Sequence, residues 1–530
     1  MDSTGAAARP RWAPRSLFAE RRGLPWILTG LAGLAFALRM VGLDAESLWR
    51  DEIDAIRFAY WPLSLLLETF TRPGHNGPLY YLLLRPWLEI AGRSGFALRF
   101  FSLAFSVLSV PLMYRVARRL FPRWIGVAFL SALLVAVSPY LVWYGQEGKM
   151  YALVVALALL SMDRFLAAMG EGGWQRWLVY VAATSAAFYV HLVAALLIPV
   201  QVLGFFTFDR GLRQARWKPA AISLAALTLP YVPLLIWQVP LLLNGGQTGY
   251  RFVPLQEMLL SLLGSYSLGV IQPSAPWLLV LFGAVLLASG LAWKLPGLRR
   301  GSLILLWIWL FVPVVAFFLI TLVRPMFTAR YLIFVVPAYL LLMAVAVRAA
   351  ANHSRLMAGL FLAAVLAGSG WGIWLQARNS LKADFRAATR YVAARLEPED
   401  LILFQIPYGR HSFEYYWPEV QPAPGEPPAA PDRVPPAPEM AYRVFLPISV
   451  VGRGAYRWAE GLYTNNGMDP GEADRRMEEL TAGNSGVWLV ATEAELWDER
   501  GLVQAWLEEH GTRSEEAHFV RVDVYRYELP

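Results

Sequence analysis

The chain has 530 residues, of which 57% are hydrophobic and only 16% are charged. Ordinary soluble domains contain about 25% charged residues, so this composition excludes a soluble globular protein and indicates a membrane protein. A net charge of +8 would suggest nucleic-acid binding in a soluble chain. Here much of the Lys and Arg lies in short loops between apolar stretches, where it sets membrane orientation, so we expect no nucleic-acid partner. There is no cysteine, which excludes disulfides and thiolate chemistry.

Apolar stretches of near 20 residues recur from Pro25 to Leu375, and about 20 apolar residues suffice to cross a bilayer. The first follows five arginines and has no small-residue cleavage site, so we expect an uncleaved helix rather than a signal peptide. The pattern predicts about eleven spans, at residues 25–43, 96–117, 124–143, 150–168, 176–191, 192–208, 218–237, 275–293, 302–323, 329–348 and 356–375.

The stretch Leu79–Gly92 decides the orientation. It is too short to span and carries Arg85, Trp87 and Glu89, so it predicts a helix along the membrane interface. The basic loops 115–123, 210–218, 294–300 and 348–355 then share the side of the N-terminus, which the positive-inside rule assigns to the cytoplasm. Three long segments are therefore extracytoplasmic: 44–95, 238–275 and 376–530.

Hydropathy falls after Leu375, and short apolar strands then alternate with helical patterns. We expect a small extracytoplasmic α/β domain over 376–530, with an accessory or acceptor-selecting role. Its predicted elements are an amphipathic helix at Asp384–Leu396, strands at Leu401–Ile406, Val444–Val451, Gly486–Ala491 and Phe519–Tyr527, a helix near Glu493–His510, and a Pro-rich linker at Gln421–Pro438.

Acidic residues mark the first outer segment. Asp51 and Glu52 follow the first span at the membrane surface, where low dielectric raises the proton affinity of a carboxylate and suits it to general-base work. The alternative is an ordinary helix start whose acidic residues offset the dipole. His75, in a loop broken by Pro and Gly, is either a ligand-binding residue or part of an interfacial turn.

Cationic residues fall on the same outer side, where positive-inside orientation does not explain them. Lys149 either contacts a phosphate or snorkels from the end of a span. Arg324 and Arg330 lie between the ninth and tenth spans, and arginine suits bidentate phosphate contact. His191, between the fifth and sixth spans, is more often structural in such a place. A base with several cations at one surface predicts displacement of a phosphate leaving group.

At this point residues 25–375 resemble a known family, the bacterial GT-C glycosyltransferases related to protein O-mannosyltransferases and aminoarabinose transferases. The resemblance is specific as a set of short motifs. They are the Asp51-Glu52 pair, the loop His75–Tyr81, Arg99 at the start of the second span, the stretch Ser138–Tyr151, and Arg330-Tyr331-Leu332 with Pro337.

The resemblance implies a multi-span helical enzyme that moves a sugar, with inversion, from a polyprenyl-phosphate sugar to an extracytoplasmic protein, lipid or glycan acceptor. By residue, it implies that Asp51 is the catalytic base and that Glu52 orients it or contacts the acceptor. Cations hold the donor phosphate, and further residues bind substrate. The phosphate-binding residues are Lys149, Arg330 and Arg324; the substrate-binding residues are His75, Gln146, Glu147, Tyr151, His191 and Tyr331.

Two departures from the family pattern bear on these roles. His75-Asn76-Gly77-Pro78 replaces His-Pro-Pro, which loosens the loop, and Lys149 replaces the usual Arg, which loses bidentate geometry. No cofactor is required, because the cations supply positive charge, although a divalent metal could bridge carboxylate and phosphate. The rival function is a lipid or sugar transporter or flippase. Transporters usually carry their charges mid-span, whereas here the polar residues collect at one surface of the plasma membrane.

Overall fold

The computed structural model describes residues 24–69, 77–232, 250–272, 275–420 and 456–530. The described part divides into two compact units. The first comprises Met1–Val41, Leu67–Tyr80 and Ser102–Arg378, and the second comprises Gly42–Leu66, Tyr81–Phe101 and Asn379–Pro530.

Helices dominate the chain as far as Arg378. In chain order they are α1 Leu24–Met40, α2 Arg50–Ala59, α3 Leu63–Thr69, α4 Leu79–Ala91, α5 Gly95–Leu120, α6 Ile125–Val137, α7 Pro139–Gly145, α8 Tyr151–Glu171, α9 Trp174–Val190, α10 Leu197–Phe205, α11 Arg210–Thr228, α12 Leu255–Leu268, α13 Pro276–Ala288, α14 Arg300–Val323, α15 Val336–His353 and α16 Arg355–Arg378. Short 3₁₀ turns precede α10 at Leu192–Leu196 and α15 at Ala329–Val335, and others follow α11 and α13.

The protein is a multi-pass membrane protein. Within the described residues six helices are long and apolar enough to cross a bilayer, and a seventh is added if α6 and α7 count as one bent span. The predicted number of eleven remains a prediction, because α1, α9, α10 and α11 are shorter or less apolar. The most enclosed of the six is the stretch Ala329–His353, whose most apolar 18-residue segment is 94% buried. It therefore forms the centre of the first unit, whereas α13 and α16 expose most of their apolar surface, as lipid-facing helices do.

The predicted third span is a helix broken in its C-terminal third. α6 and α7 meet at an angle of 54° because Ser138 takes an extended conformation before Pro139, a residue that disfavours helix at the position ahead of it. Ser138 then caps α7, accepting a hydrogen bond from the amide of Leu141.

Arg39 satisfies the backbone groups that this break frees. Its guanidinium is fully buried and donates to the carbonyl oxygens of Val135 (3.1 Å) and Ala136 (2.8 Å) in the last turn of α6. Its Nε donates to Ser106 Oγ on α5 (2.7 Å), and this hydroxyl donates to the carbonyl of Leu141 (3.2 Å). A cation at a helix C-terminus is favourable, so one arginine fixes the bend.

The second unit contains a five-stranded sheet. Its strands are β1 Asp400–Phe404, β2 Arg457–Glu460, β3 Gly486–Ala491, β4 Thr512–Phe519 and β5 Val522–Glu528, in the order β2-β1-β3-β5-β4. Its helices are α17 Phe385–Ala393, α18 Gly409–Val420, α19 Pro470–Thr481 and α20 Leu502–His510. Strands β2, β1 and β3 are parallel, and β1 and β3 are almost wholly buried, which is why both read as continuous apolar runs.

Most of the predicted elements of this domain are present, with two differences. A hairpin of β4 and β5 replaces the single strand predicted at Phe519–Tyr527, because the exposed edge strand β4 is too charged to be recognised as a strand. The helix predicted near Glu493–His510 begins only at Leu502. The predicted strand Val444–Val451 and linker Gln421–Pro438 lie outside the described residues.

Candidate active site

The two predicted carboxylates lie in the first turn of α2, in the second unit. The helix begins at Arg50 after an extended residue, Trp49, so Asp51 and Glu52 lie close to the positive end of its dipole. Asp51 is half-buried, whereas Glu52 is completely buried. The adjacent carboxylates therefore occupy different environments, and their roles need not be the same.

Two cations hold Glu52. Arg99 makes a bidentate pair with it, Nε to Oε1 and Nη2 to Oε2, both at 2.8 Å. Lys382 Nζ donates to Oε1 at 3.1 Å, and both cations are themselves buried. Such an arrangement stabilises the ionised carboxylate and fixes its geometry. It favours the orienting role for Glu52 over direct participation in proton transfer.

Arg99 also fastens the chain that leads into α2. Its remaining N–H groups donate to the carbonyl oxygens of Leu43 (2.9 Å), Glu46 (2.8 Å) and Ser47 (3.0 Å). A guanidinium has five N–H donors, and here all five are used. No other side chain could bind a carboxylate bidentately and three carbonyls together.

The chain that follows α16 adds three more contacts to the same stretch. The amide of Leu381 donates to Glu46 Oε1 (2.8 Å), and Ser47 Oγ donates to the carbonyl of Ala383 (2.6 Å). The amide of Leu48 donates to the hydroxyl oxygen of Tyr416 on α18 (2.5 Å). The C-terminal part of the chain thus helps to position α2, a role that its sequence did not predict.

In the first unit, the stretch from Gln146 to Tyr151 joins α7 to α8. Gln146 Nε2 donates to the carbonyl oxygens of Arg39 (3.1 Å) and Val41 (2.7 Å), so this predicted substrate ligand caps the end of α1. Glu147 and Lys149 are buried in the turn that follows. The backbone of Lys149 is held by its own amide, which donates to Glu147 O (2.7 Å), and by Ser102 Oγ, which donates to Lys149 O (3.0 Å).

Four predicted residues from three distant segments meet in this unit. The His191 ring lies 6.1 Å from the ring of Tyr151 and 5.6 Å from that of Tyr331, measured between centroids. The guanidinium carbon of Arg330 lies 5.8 Å from the centre of the Tyr151 ring, within cation–π range. The sequence predicted that these residues lie at the same membrane surface, and the structure brings them into one cluster.

His191 is the most unusual member of this cluster. Its side chain is 2% exposed, and within the described part of the chain neither ring nitrogen has a hydrogen-bond partner. Buried polar groups are normally paired, because leaving one unpaired costs free energy. An unpaired buried imidazole beside an arginine suits a site that is completed by a polar ligand.

Arg330 and Tyr331 are held by the 3₁₀ turn Ala329–Val335. Pro337, at the start of α15, cannot donate a hydrogen bond to the preceding turn. Side chains donate to other carbonyls of the turn: the Tyr266 hydroxyl to Leu332 O (2.9 Å) and Trp309 Nε1 to Phe334 O (3.2 Å). The turn is therefore fixed, and with it the two residues at its start.

The remaining predictions are less closely placed. Arg324 is half-buried at the end of α14, six positions before Arg330. His75 lies outside the described residues, although Gly77 nearby is included. A side chain at Gly77 would collide with the backbone carbonyl of Tyr189, so glycine is required there. Among the described residues no three His, Asp or Glu side chains are grouped to hold a metal ion.

Known proteins resemble the chain in sequence over one segment and in fold over nearly its whole length. Residues 73–237 match a family model described as dolichyl-phosphate-mannose-protein mannosyltransferase. The resemblance to GT-C glycosyltransferases is confirmed. No curated protein sequence matches the chain.

Solved structures show the same fold. ArnT from Cupriavidus metallidurans, bound to undecaprenyl phosphate, is 14% identical with a TM-score of 0.54, over 95% of this chain and 98% of that one. The Archaeoglobus fulgidus oligosaccharyltransferase, with Zn and sulfate, is 15% identical with a TM-score of 0.51, over 94% and 72%. Its complex with an inhibitory peptide and a dolichol-phosphate is 13% identical with a TM-score of 0.50, over 94% and 74%.

The five-donor role of Arg99 predicts a large effect of its loss. We expect Arg99→Met to lower the free energy of unfolding by about 3–5 kcal/mol, because it leaves a buried carboxylate with one cation and three carbonyls without donors. Arg395→Met should cost no more than about 1 kcal/mol, since Arg395 is 42% exposed in its pair with Glu515. Denaturant unfolding of the purified proteins measures both; equal losses would contradict the assignment.

Proposed function

We propose that the protein is an inverting glycosyltransferase that moves a sugar from a polyprenyl-phosphate sugar to an extracytoplasmic acceptor. The observation that carries this proposal is the cluster of Tyr151, His191, Arg330 and Tyr331. It is a cationic and aromatic site assembled from three segments, in which Tyr151 and His191 are buried and Arg330 and Tyr331 are half-buried. The fold shared with ArnT and the oligosaccharyltransferase, whose structures contain polyprenyl phosphates, supports it.

In the proposed reaction Asp51 acts as the general base. Its carboxylate takes the proton of the acceptor hydroxyl while that oxygen forms a bond to the anomeric carbon of the sugar. The bond from this carbon to the phosphate oxygen breaks on the opposite face, which inverts the configuration. The products are the glycosylated acceptor and the polyprenyl phosphate. Glu52, held by Arg99 and Lys382, keeps the first turn of α2 in place.

Cations bind the departing phosphate. We assign this role to Lys149 and Arg330, with Arg324 as a further contact, since charge-assisted hydrogen bonds stabilise the charge that grows on the phosphate. This assignment requires no metal, although one could bridge carboxylate and phosphate. Tyr151 and Tyr331 offer ring faces to the donor, and His191 offers ring nitrogens for a hydrogen bond.

The remaining substrate-binding roles stay predictions of the resemblance, namely those of His75, Gln146 and Glu147. Gln146 has both amide hydrogens engaged at the end of α1, which leaves only its oxygen for a ligand. We further propose the plasma membrane as the location, with eleven spans, a cytoplasmic N-terminus, and both the site and residues 376–530 outside.

Asp51→Asn tests the base. Loss of a general base lowers rates by about 10²–10⁴, so we expect transfer from a polyprenyl-phosphate sugar to fall at least 100-fold. The matched control is Asp54→Asn on the same helix, where Asp54 is paired with Arg57 at 2.8 Å. The measurement is the rate of sugar transfer by purified variants with equal melting temperatures. A wild-type rate in Asp51→Asn would exclude Asp51 as the base.

Substitutions of the cations test the phosphate site. Lys149→Ala and Arg330→Ala should each raise the donor KM about 10- to 100-fold, because each removes a charge-assisted contact worth about 1.5–3 kcal/mol. Lys149→Arg should keep donor binding, and Arg251→Ala, at a side chain that is 85% exposed, should leave it unchanged. An unaltered donor KM in both alanine variants would refute this assignment.

The orientation can be tested by cysteine labelling, because the native chain has no cysteine. A membrane-impermeant maleimide added to intact cells should label Glu478→Cys in α19 and should label Gln214→Cys in α11 only after permeabilisation. Both residues are exposed, so accessibility within the protein is matched. The reverse pattern would overturn the proposed orientation.

A further inference from the structure

The parallel part of the sheet in the second unit contains a topological switch point, a place where α/β proteins commonly bind ligands. The chain passes from β1 to β2 on one side and then returns to β3 on the other side of β1. In parallel sheets the loops after two such strands diverge, and ligands bind outside the carboxyl ends of the strands at this switch point. A binding site is therefore expected at the loops that follow β1, β2 and β3.

Each of these loops supplies an aromatic residue. Tyr408 follows β1, Tyr463 follows β2, and Trp497 follows β3. The ring centroids of Tyr463 and Trp497 are 4.7 Å apart, and those of Tyr408 and Trp497 are 6.4 Å apart. Tyr463 is 42% exposed and the other two are half-buried, so the three rings form one continuous, accessible surface, here called the aromatic platform.

A strained carboxylate residue borders the platform. Glu493 has φ 45°, in the left-handed region that non-glycine residues seldom adopt, and such strain clusters at functional sites. The Tyr408 hydroxyl donates to Glu493 Oε2 at 3.0 Å. Burial raises the pKa of Tyr408; Arg50 opposes this shift, whereas the carboxylates of Glu493 and Glu495 add to it, and the net effect raises the pKa so that the hydroxyl stays protonated and keeps the carboxylate in place.

The platform is joined to the helix that carries the proposed base. The guanidinium carbon of Arg50 lies 3.5 Å from the centre of the Tyr408 ring, a close cation–π contact. Arg50 is the first residue of α2, and Asp51 follows it directly. A molecule that rests on the platform is thus next to the start of α2.

We propose that the aromatic platform, with Glu493 and Arg50, binds a neutral carbohydrate part of the acceptor. This proposal rests on the proposed function. The C–H faces of a sugar ring pack against aromatic rings, and its hydroxyls donate to a carboxylate held at the rim. Glu493, Glu495 and the nearby Glu499 repel a polyanion. Two arginines at these loops are already engaged, since Arg50 is stacked on Tyr408 and Arg500 donates to the carbonyl oxygens of Thr464 and Met468. These features favour a neutral glycan over a phosphorylated acceptor.

Direct binding tests the platform without any transfer reaction. Mannotriose and arabinotriose serve as probes in saturation-transfer NMR with the full chain in nanodiscs, and an unmodified serine-rich hexapeptide serves as the alternative ligand. We expect a trisaccharide signal that falls at least fivefold in Tyr463→Ala and in Arg50→Met. The control Tyr391→Ala removes a tyrosine whose hydroxyl bonds to Glu515 (3.0 Å), and it should retain the signal.

Kinetics separate this proposal from the proposed function. If both hold, Tyr463→Ala raises the KM for a glycan acceptor and leaves the donor KM unchanged. Trisaccharide binding that depends on Tyr463, in a protein without transferase activity, would support the platform and refute the transferase. A trisaccharide signal equal in Tyr463→Ala and wild type, or binding of the hexapeptide but of neither trisaccharide, would overturn the platform. Equal melting temperatures of the variants establish that folding is intact.

Discussion

The buried ion cluster of Glu52, Arg99 and Lys382 is the interaction on which the second unit depends. Burying two cations and one carboxylate carries a large desolvation cost. This cost is offset because nearly every N–H donor of the two cations is hydrogen-bonded to an acceptor. The cluster ties the start of α2 to α5 and to the chain beyond α16. The predicted base, Asp51, therefore stands on a support that is built from three separate parts of the sequence.

The first unit applies the same constraint to a different charge. A buried arginine is costly unless its donors are satisfied, and Arg39 meets this condition at the broken end of α6. The 3₁₀ turn before α15 is held in a similar way by Tyr266 and Trp309. Irregular backbone occurs at both places, and protein side chains pair with its freed groups. Of the predicted phosphate-binding residues, Arg330 lies in the 3₁₀ turn, and Lys149 follows the break and α7 in the chain.

Sequence predicted a multi-span helical membrane part, because soluble domains seldom contain uncharged apolar runs long enough to cross a bilayer, whereas the number of eleven spans remains a prediction. It also predicted that Tyr151, His191, Arg330 and Tyr331 share a surface, since topology alone determines which loops lie on one side. It could not predict the second cationic partner of Glu52, because Lys382 is 330 residues away and has no local pattern. The structural role of Arg39 was also missed, although a charged residue within an apolar run could have indicated it. The platform was missed because its aromatic residues follow three different strands, and only the strand order brings them together.

The position of Lys382 in the chain has a consequence for biogenesis. Protein synthesis proceeds from the N-terminus at about 5–20 residues per second, so Lys382 leaves the ribosome roughly 15–65 seconds after Glu52. During that interval the carboxylate has only Arg99 as a cationic partner within the cluster, and the contacts from Leu381, Ala383 and Tyr416 do not yet exist. The start of α2 is thus completed late. A nascent or truncated chain that has already entered the membrane lacks the finished support for Asp51, the predicted base.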